Sequence, residues 1–213
     1  MFIDIHTHRS VDQVNISIHN LTFDKADILF SKNEKCLYSL GFHPWHADEY
    51  SEELITKLNV WIHEGRIAII GECGLDKNSM FPFEMQLNVF EKQIILSEYS
   101  KTPMIIHCVG CFNELLELKK RINPHQLWII HGFRGKPELA KQLLNAGCSL
   151  SYGEHFNPES IRVTPIDQLF VETDESLLSI TEIYLTISKI KKCKPEELNA
   201  GKNLIKSIMH QRI

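Results

Sequence analysis

The stretch Ile67-Ala68-Ile69-Ile70-Gly71-Glu72 decides how this sequence is expected to fold. Four apolar residues follow one another with no polar residue between them, and a glycine and a carboxylate end the run. A strand with one solvated face would alternate apolar and polar residues, whereas a strand of a parallel sheet is buried on both faces. Met104-Ile105-Ile106 has the same uninterrupted apolar character. These two runs therefore predict a parallel sheet.

Eight short runs of this kind, bounded by turn residues or charges, are strand candidates. Helical patterns lie between several of them, which is typical of parallel strands joined by crossover helices. Eight such strands predict an α/β fold, a TIM-type (β/α)8 barrel, as a single domain over residues 1–213. The candidate strands are Phe2 to His6, Val14 to His19, Cys36 to Gly41, Ile67 to Glu72, Pro103 to His107, Leu127 to His131, Cys148 to Ser151 and Gln168 to Asp174.

The helical patterns place apolar residues on one face of each segment. One gap stands out, because only Arg9 to Gln13 separates the first two strand candidates. A parallel crossover needs about a dozen residues, so we expect the barrel to be distorted or incomplete near strands 1 and 2. The predicted helices are Ser51 to Gly65, Phe83 to Ile94, Glu114 to Arg121, Pro137 to Ala146, and a pair within Ile180 to Arg212 that is broken at Pro195.

Composition excludes several classes of function. The 213 residues carry 23 basic and 27 acidic side chains, a formal net charge of −4, so a purely electrostatic nucleic-acid binder is not expected. No apolar stretch approaches the roughly 18 residues of a membrane span, and the amino end does not resemble a secretory signal, so we predict a cytoplasmic protein without membrane contact. Neither glycine-rich nucleotide-binding motif is present, so no nucleotide cofactor is expected.

Ionisable side chains fall at the ends of the apolar runs. In a parallel barrel the carboxyl ends of all strands open on one face, where active sites of this fold lie. The i, i+2 spacing of His6 and His8 puts both imidazoles on the same side of a strand. A single histidine at a strand end is usually a hydrogen-bonded boundary residue, but a set in register predicts a shared metal. The set is His6, His8, Glu72, His107, His131 and Asp174.

Two further segments leave alternatives open. Cys108-Val109-Gly110-Cys111 follows a strand and opens a helix, so it could be a thioredoxin-type redox pair, although a lone CxxC is a weak signal. We expect all six cysteines to be reduced thiols. The segment from Gly41 to His46 ends the third strand and contains His43 and Trp45. These two side chains are predicted to contact substrate, with plain loop packing as the alternative.

Seven motifs, in order, make the sequence resemble the TatD family of metal-dependent deoxyribonucleases, a branch of the amidohydrolase-like barrels. The match runs from Phe2 to about Leu204. The motifs are Phe2-Ile-Asp-Ile-His-Thr-His8, Gly41-Phe-His-Pro44, Gly71-Glu-Cys-Gly-Leu-Asp76, the helix positions Gln86, Phe90 and Gln93, Ile105-Ile-His-Cys108, Ile130-His-Gly-Phe133 and Val171-Glu-Thr-Asp174.

The resemblance implies a site for two divalent metal ions. It assigns His6, His8 and Asp174 to one ion and His107 and His131 to the other, with Glu72 bridging them. Imidazole-rich ligands suit Zn²⁺, Mn²⁺ or Ni²⁺ better than Mg²⁺, and the identity of the metals stays open. The implied activity is 3′ to 5′ exonucleolytic hydrolysis of phosphodiesters by a metal-activated water, with Asp174 as proton acceptor and Glu72 as the second catalytic carboxylate.

The sequence also departs from the family pattern. Cys108 to Cys111 replaces an Arg or Asp that many members carry after the fifth-strand histidine, and the chain runs directly from Asp174 into a helix. We therefore expect a shortened member that acts on DNA or RNA ends or short oligonucleotides. The alternatives are a hydrolase of a small amide, lactone or phosphoester, since fold alone does not select a reaction, and a metal-binding protein without turnover. The oligomeric state is not predicted.

Overall fold

The computed structural model describes residues 1–9, 15–30 and 37–211. Eight strands alternate with helices along most of the chain, as the sequence predicts. The strands are β1 Ile3–Thr7, β2 Ile16–Leu21, β3 Leu37–Leu40, β4 Ile67–Asp76, β5 Met104–Val109, β6 Trp128–Ile130, β7 Cys148–Tyr152 and β8 Leu169–Val171. The helices are α1 Phe23–Phe30, α2 Glu52–His63, α3 Phe83–Ser100, α4 Phe112–Ile122, α5 Pro137–Asn145, α6 Pro158–Val163, α7 Ile180–Lys191 and α8 Ala200–Gln211, with short 3₁₀ helices at Pro44–Glu49, Ile166–Gln168 and Pro195–Glu197.

The strands form one sheet in the chain order β1-β2-β3-β4-β5-β6-β7-β8, and the ladders between them are parallel. This is the strand order of the predicted (β/α)8 fold. Among the described residues, no ladder pairs β1 with β8, and Thr7 of β1 instead forms an isolated bridge with Asp174, which follows β8. The fold class is therefore confirmed, with one seam that is not fully paired.

The expected irregularity near the first two strands lies partly outside the described residues. β1 ends at Thr7 and β2 begins at Ile16, and the segment Ser10–Val14 between them is not described. Helix α1 comes after β2, and the sequence patterns did not predict it. α6 was not predicted either, and its six residues are too few for an apolar periodicity to be recognised.

Every strand ends at least one residue away from its predicted end, and the differences are largest for β4 and β8. β4 continues beyond Glu72 to Asp76, because Gly74 pairs with His107 and extends the ladder with β5. Gly74 has a φ of +140°, and a Cβ there would overlap the carbonyl oxygen of His107, so only glycine permits this approach. β8 ends at Val171, three residues before Asp174, whose φ of +54° is in the left-handed region.

The chain divides into two compact units. The first comprises Met1–His19 and Ile129–Ile213, and the second comprises Asn20–Trp128. The interpretation of residues 1–213 as one domain stays a prediction. None of the helices in the described ranges is long and apolar enough to cross a bilayer.

In the core of the first unit, β1 packs against α7. Tyr184 donates a hydrogen bond from its hydroxyl to the carbonyl oxygen of Ile3 over 3.0 Å, and its ring stacks on Phe2 with centroids 4.4 Å apart. Ile3 and Tyr184 are both buried. This packing fixes the strand that carries His6 and that leads directly into His8.

The core of the second unit packs α3 against the sheet. Phe90 is fully buried and its ring lies 5.6 Å from that of Trp128. Helix α2 begins as predicted, because the Ser51 hydroxyl accepts a hydrogen bond from the Leu54 N–H over 3.1 Å. Helices α2 and α3 pack against β4, which carries Glu72.

Candidate metal-binding site

Three of the predicted ligands lie together in the first unit. The Nε2 atoms of His6 and His8 lie 3.8 and 3.6 Å from Oδ1 of Asp174. The two imidazole rings are edge-on, with centroids 5.0 Å apart, and His6 is completely buried. One ligand atom from each residue falls within 4.8 Å of the others. The i, i+2 spacing in β1 therefore produces the arrangement expected of it, while the role of these residues as metal ligands stays a prediction.

Backbone hydrogen bonds to β1 position Asp174. The Asp174 N–H donates to the carbonyl oxygen of His6 over 3.0 Å, and the His8 N–H donates to the carbonyl oxygen of Asp174 over 3.2 Å. These bonds fix the backbone of the carboxylate relative to the two histidines. Asp174 thus joins the group although it follows the end of β8.

Asp4, in the motif Phe2 to His8, stabilises this arrangement through hydrogen bonds to Thr173. Its Oδ1 accepts a hydrogen bond from the Thr173 N–H over 3.0 Å, and its Oδ2 accepts one from the Thr173 hydroxyl over 2.6 Å. Asp4 is 3% exposed, and this burial raises its pKa to about 7 against the opposing effect of these hydrogen bonds. The side chain therefore anchors the residue that precedes Asp174.

His131 lies in the first unit beside a carboxylate to which the sequence analysis assigned no role. Its Nδ1 lies 3.5 Å from Oε1 of Glu172, and the Gly132 N–H donates to that oxygen over 2.6 Å. Burial acts to raise the pKa of Glu172, but His131, together with His6 and other neighbouring polar groups, outweighs it, so this pKa is lowered. His131, Glu172 and Asp174 form a second group of ligand atoms within 4.8 Å.

Glu72 and His107 lie together in the second unit. Nδ1 of His107 lies 2.8 Å from Oε1 of Glu72, and Nε2 lies 3.0 Å from Oδ2 of Asp76. The Glu72 N–H donates to Oδ1 of Asn20 over 2.8 Å, which fixes the backbone at this point of β4. His107 and His131 belong to different units, and their predicted sharing of an ion stays a prediction.

Asp76 is a second residue whose role sequence reasoning missed, although it closes one of the quoted motifs. Besides His107, its carboxylate accepts hydrogen bonds from the Asn78 N–H over 2.8 Å and from the Trp45 indole N–H over 2.7 Å. Burial acts to raise the pKa of Asp76, and the donors around it outweigh that effect and lower it. The signal in the sequence was an acidic residue at the true end of a long apolar strand.

The two predicted substrate contacts differ in their surroundings. Nε2 of His43 lies 3.3 Å from Oε1 of Glu72, so His43 forms a group with two predicted metal ligands, Glu72 and His107. Trp45 is 53% exposed, although its indole N–H is bound to Asp76. An exposed ring held at one edge can stack against a ligand, and both substrate roles stay predictions.

Cys108 and Cys111 are thiols in the structure, and both are buried. Burial raises the pKa of Cys111 more than the nearby Lys77 ammonium lowers it. A raised pKa disfavours the thiolate that redox exchange requires. The surroundings of Cys111 therefore favour a structural role over a redox role.

The donor set fits divalent metal ions. Imidazole nitrogens and carboxylate oxygens converge in each unit, and such mixed sets suit Zn²⁺, Mn²⁺ and similar ions. Oε2 of Glu172 is buried and accepts no hydrogen bond from the residues that the structure describes. A buried carboxylate oxygen without a donor is costly unless a cation or another polar group satisfies it.

Comparison with known proteins identifies the family. The sequence model described as TatD related DNase matches residues 3–203. The chain belongs to this family. The crystal structure of YJJV, a TatD homologue from Escherichia coli k12, superposes with a TM-score of 0.80 at 19% identity over 97% of each chain, and it shows the same fold. The resemblance seen in the sequence is therefore confirmed.

Two relatives of the TatD-related chain carry different descriptions. A protein of Buchnera aphidicola, named an uncharacterized metal-dependent hydrolase, is 27% identical over 91% of this chain and 81% of its own length. A protein of Erwinia amylovora, named 3′-5′ ssDNA/RNA exonuclease TatD, is 29% identical over 65% of this chain and 58% of its own length. The chain is thus a member of a family of metal-dependent hydrolases.

Proposed function

We propose that this TatD-related chain is a metal-dependent phosphodiesterase that removes nucleotides from the 3′ ends of DNA or RNA. The observation that carries this proposal is the group of His6, His8 and Asp174, whose ligand atoms lie within 4.8 Å of one another on backbone held by β1. The exonuclease name of the Erwinia amylovora relative supports the substrate class.

In this proposal His6, His8 and Asp174 would hold one divalent ion, His107 and His131 would hold the other, and Glu72 would be a ligand to both. Divalent ions bound there would make a water molecule more acidic and offset the charge of the attacked phosphate. Oδ1 of Asp174 faces both imidazoles, so we assign the proton from the attacking water to Oδ2. Hydrolysis then breaks the phosphorus–oxygen bond, and the proton passes from Asp174 to the departing 3′ oxygen of the shortened chain.

The substrate end is proposed to lie against His43 and Trp45. The exposed indole offers a stacking face for a base, which is tolerant of sequence, as an exonuclease requires. The cytoplasmic location and the absence of a nucleotide cofactor remain part of the proposal.

The test is an oligonucleotide assay coupled to metal analysis. Protein loaded with Mn²⁺ or Zn²⁺ is incubated with single-stranded DNA labelled at its 5′ end, and shortening from the 3′ end is expected. Glu72→Ala should lose metal and turnover, because the change removes the bridging carboxylate. Glu117→Ala, at an exposed residue of α4, is the matched control.

Three results would contradict the proposal. Glu72→Ala with full metal content and undiminished turnover would contradict the two-metal assignment. Hydrolysis of small phosphoesters, amides or lactones without cleavage of oligonucleotides would favour the alternative hydrolase. Tight metal binding without turnover on either class of substrate would favour a metal-binding protein.

A further inference from the structure

A cavity of about 450 Å³ opens in the first unit beside two of the acidic groups already described. Its lining includes Asp174 and Glu172 together with Gly132 and Gly153. This volume is within the range of about 300–1,000 Å³ of pockets that hold small organic ligands. No role has been assigned above to the remaining side chains of this cavity.

Two nitrogen-bearing side chains that line the cavity are available for a ligand. The side chains of Arg134 and His155 form no hydrogen bond or ion pair with any residue that the structure describes. Both residues are exposed. Arginine presents several N–H donors in one plane and binds the oxygens of a phosphate through paired hydrogen bonds. The free donors therefore indicate an anionic group with several oxygens.

Among the described residues, the acidic side chains that line the cavity form no ion pair with Arg134. Glu154 accepts a hydrogen bond from the Ser176 hydroxyl over 2.6 Å. Asp174 and Glu172 belong to the candidate metal groups, where bound cations would offset their charge. A phosphate in the cavity would thus meet Arg134 together with any bound cations, and Glu175 is the fourth acidic residue of the lining.

The short segment that follows Asp174 lines part of the cavity, and hydrogen bonds hold it in place. The Arg9 guanidinium donates to the carbonyl oxygen of Ser176 over 2.7 Å, and the Ser176 N–H donates to the carbonyl oxygen of Thr173 over 2.8 Å. Leu177, the next residue, lines the cavity and is 88% exposed. An exposed apolar side chain on a fixed wall is suited to cover the sugar or base of a ligand.

Two of the residues that line the cavity are glycines, and their lack of a side chain keeps space open. A Cβ at Gly132 would lie 3.7 Å from Oε1 of Glu172, and a Cβ at Gly153 would lie 3.5 Å from the carbonyl oxygen of Glu172. Larger side chains at these positions would occupy the space beside the carboxylate. The two glycines therefore leave room for a ligand next to Glu172.

We propose that this cavity binds the terminal nucleotide of the substrate, with its phosphate on Arg134 and His155 and its sugar or base against Leu177. The inference rests on the proposed function, because it names the part of a nucleic acid that this site accepts. Arg134 would also supply a basic contact to the substrate, which this sequence lacks directly after His107.

Binding of small probes tests the inference without measuring turnover. Titration calorimetry with Mn²⁺-loaded protein compares deoxyadenosine 5′-monophosphate, deoxyadenosine and inorganic phosphate. The monophosphate should bind most tightly. Arg134→Gln should weaken its binding about tenfold or more, and Arg134→Lys should restore part of the loss. Arg162→Gln, at an exposed arginine of α6 that pairs with Glu159, is the matched control.

A second variant tests the contact to the sugar or base separately from the contact to the phosphate. Leu177→Ala should weaken the monophosphate several-fold and leave inorganic phosphate unchanged, and the exposure of Leu177 makes a folding defect unexpected. Equal monophosphate binding by wild type and Arg134→Gln, or no binding by wild type, would overturn the inference. Cleavage of oligonucleotides that is indifferent to Arg134 would overturn it while the proposed function stands. Arg134-dependent binding without any cleavage would support it and contradict the proposed function.

Discussion

Nε2 of His107 lies 3.0 Å from Oδ2 of Asp76, while Nδ1 of the same ring lies 2.8 Å from Oε1 of Glu72. A carboxylate can accept a hydrogen bond from one ring N–H and leave the lone pair of the other nitrogen for a metal. With Asp76 accepting from the Nε2–H, Nδ1 of His107 is the nitrogen left for a metal, and we expect Asp76 to favour this tautomer. The Trp45 indole donates to the same Oδ2 atom over 2.7 Å, which further fixes the carboxylate.

Asp76→Asn should weaken metal binding by about 10- to 100-fold, because a neutral amide holds the His107 proton less strongly. Chelator competition measures the affinity, and circular dichroism checks that the fold is retained. Asp167→Asn, at an exposed aspartate, is the control. Unchanged affinity in Asp76→Asn would show that Asp76 does not position His107.

Gln93→Leu should destabilise the protein by about 2–4 kcal/mol, since it leaves two buried backbone groups without a partner. The Gln93 side chain accepts from the Phe42 N–H over 2.8 Å and donates to the Phe42 carbonyl oxygen over 3.1 Å. Urea unfolding measures the change, with Gln142→Leu on the exposed side of α5 as control. Equal losses in the two variants would mean that the paired bonds contribute nothing specific.

Cys108→Ala combined with Cys111→Ala should leave turnover within a few-fold of wild type, because the burial that raises the pKa of Cys111 disfavours thiolate chemistry. Steady-state rates with and without added reductant provide the measurement. A collapse of turnover in the double variant, together with reductant dependence of the wild type, would favour the redox alternative.

Stability should fall as pH decreases from about 7 to 5, in part through His19. This histidine is 8% exposed, and burial lowers its pKa in spite of the hydrogen bond to the Arg9 carbonyl oxygen. A lowered folded-state pKa means that the unfolded chain takes up the proton first as the pH falls below the ordinary histidine value. The folded state therefore loses stability on acidification.

His19→Gln should make the unfolding free energy less dependent on pH over that interval. The measurement is urea unfolding at a series of pH values, with His63→Gln on the exposed side of α2 controlling for loss of an imidazole. Identical pH profiles for the two variants would exclude the burial of His19 as the cause.

Turnover should depend little on substrate length, because the net charge of −4 and the short segment after Asp174 provide few contacts to distant phosphates. The measurement compares oligonucleotides from about 2 to about 20 nucleotides at two ionic strengths. A steep rise with length that disappears at high salt would reveal an extended basic groove.

Much of the fold could be predicted because its signals are local. The uninterrupted apolar run at Ile67 is sufficient to indicate a buried parallel strand, and the histidines at the ends of such runs mark the candidate ligands. The length of β4 could not be predicted, because it depends on Gly74 meeting the backbone of His107, a residue distant in sequence.

The supporting residues of the site were missed for a related reason. Glu172 and Asp76 acquire their roles through His131 and His107, which the fold brings beside them from other strands. Arg134 follows a quoted motif, but its importance depends on a cavity that only the tertiary structure reveals. Spacing within one segment contains no information about such neighbours.

Because Trp45 is hydrogen-bonded to Asp76, its intrinsic fluorescence can report on changes at the candidate metal site. The sequence has three tryptophans, and Trp61 and Trp128 are 7% and 0% exposed, whereas Trp45 is 53% exposed. A soluble quencher such as acrylamide would therefore act mainly on the emission of Trp45. A change of charge around Asp76 and His107 alters the electric field at the indole, so the fluorescence spectrum of the unlabelled protein can follow occupancy of the site in real time.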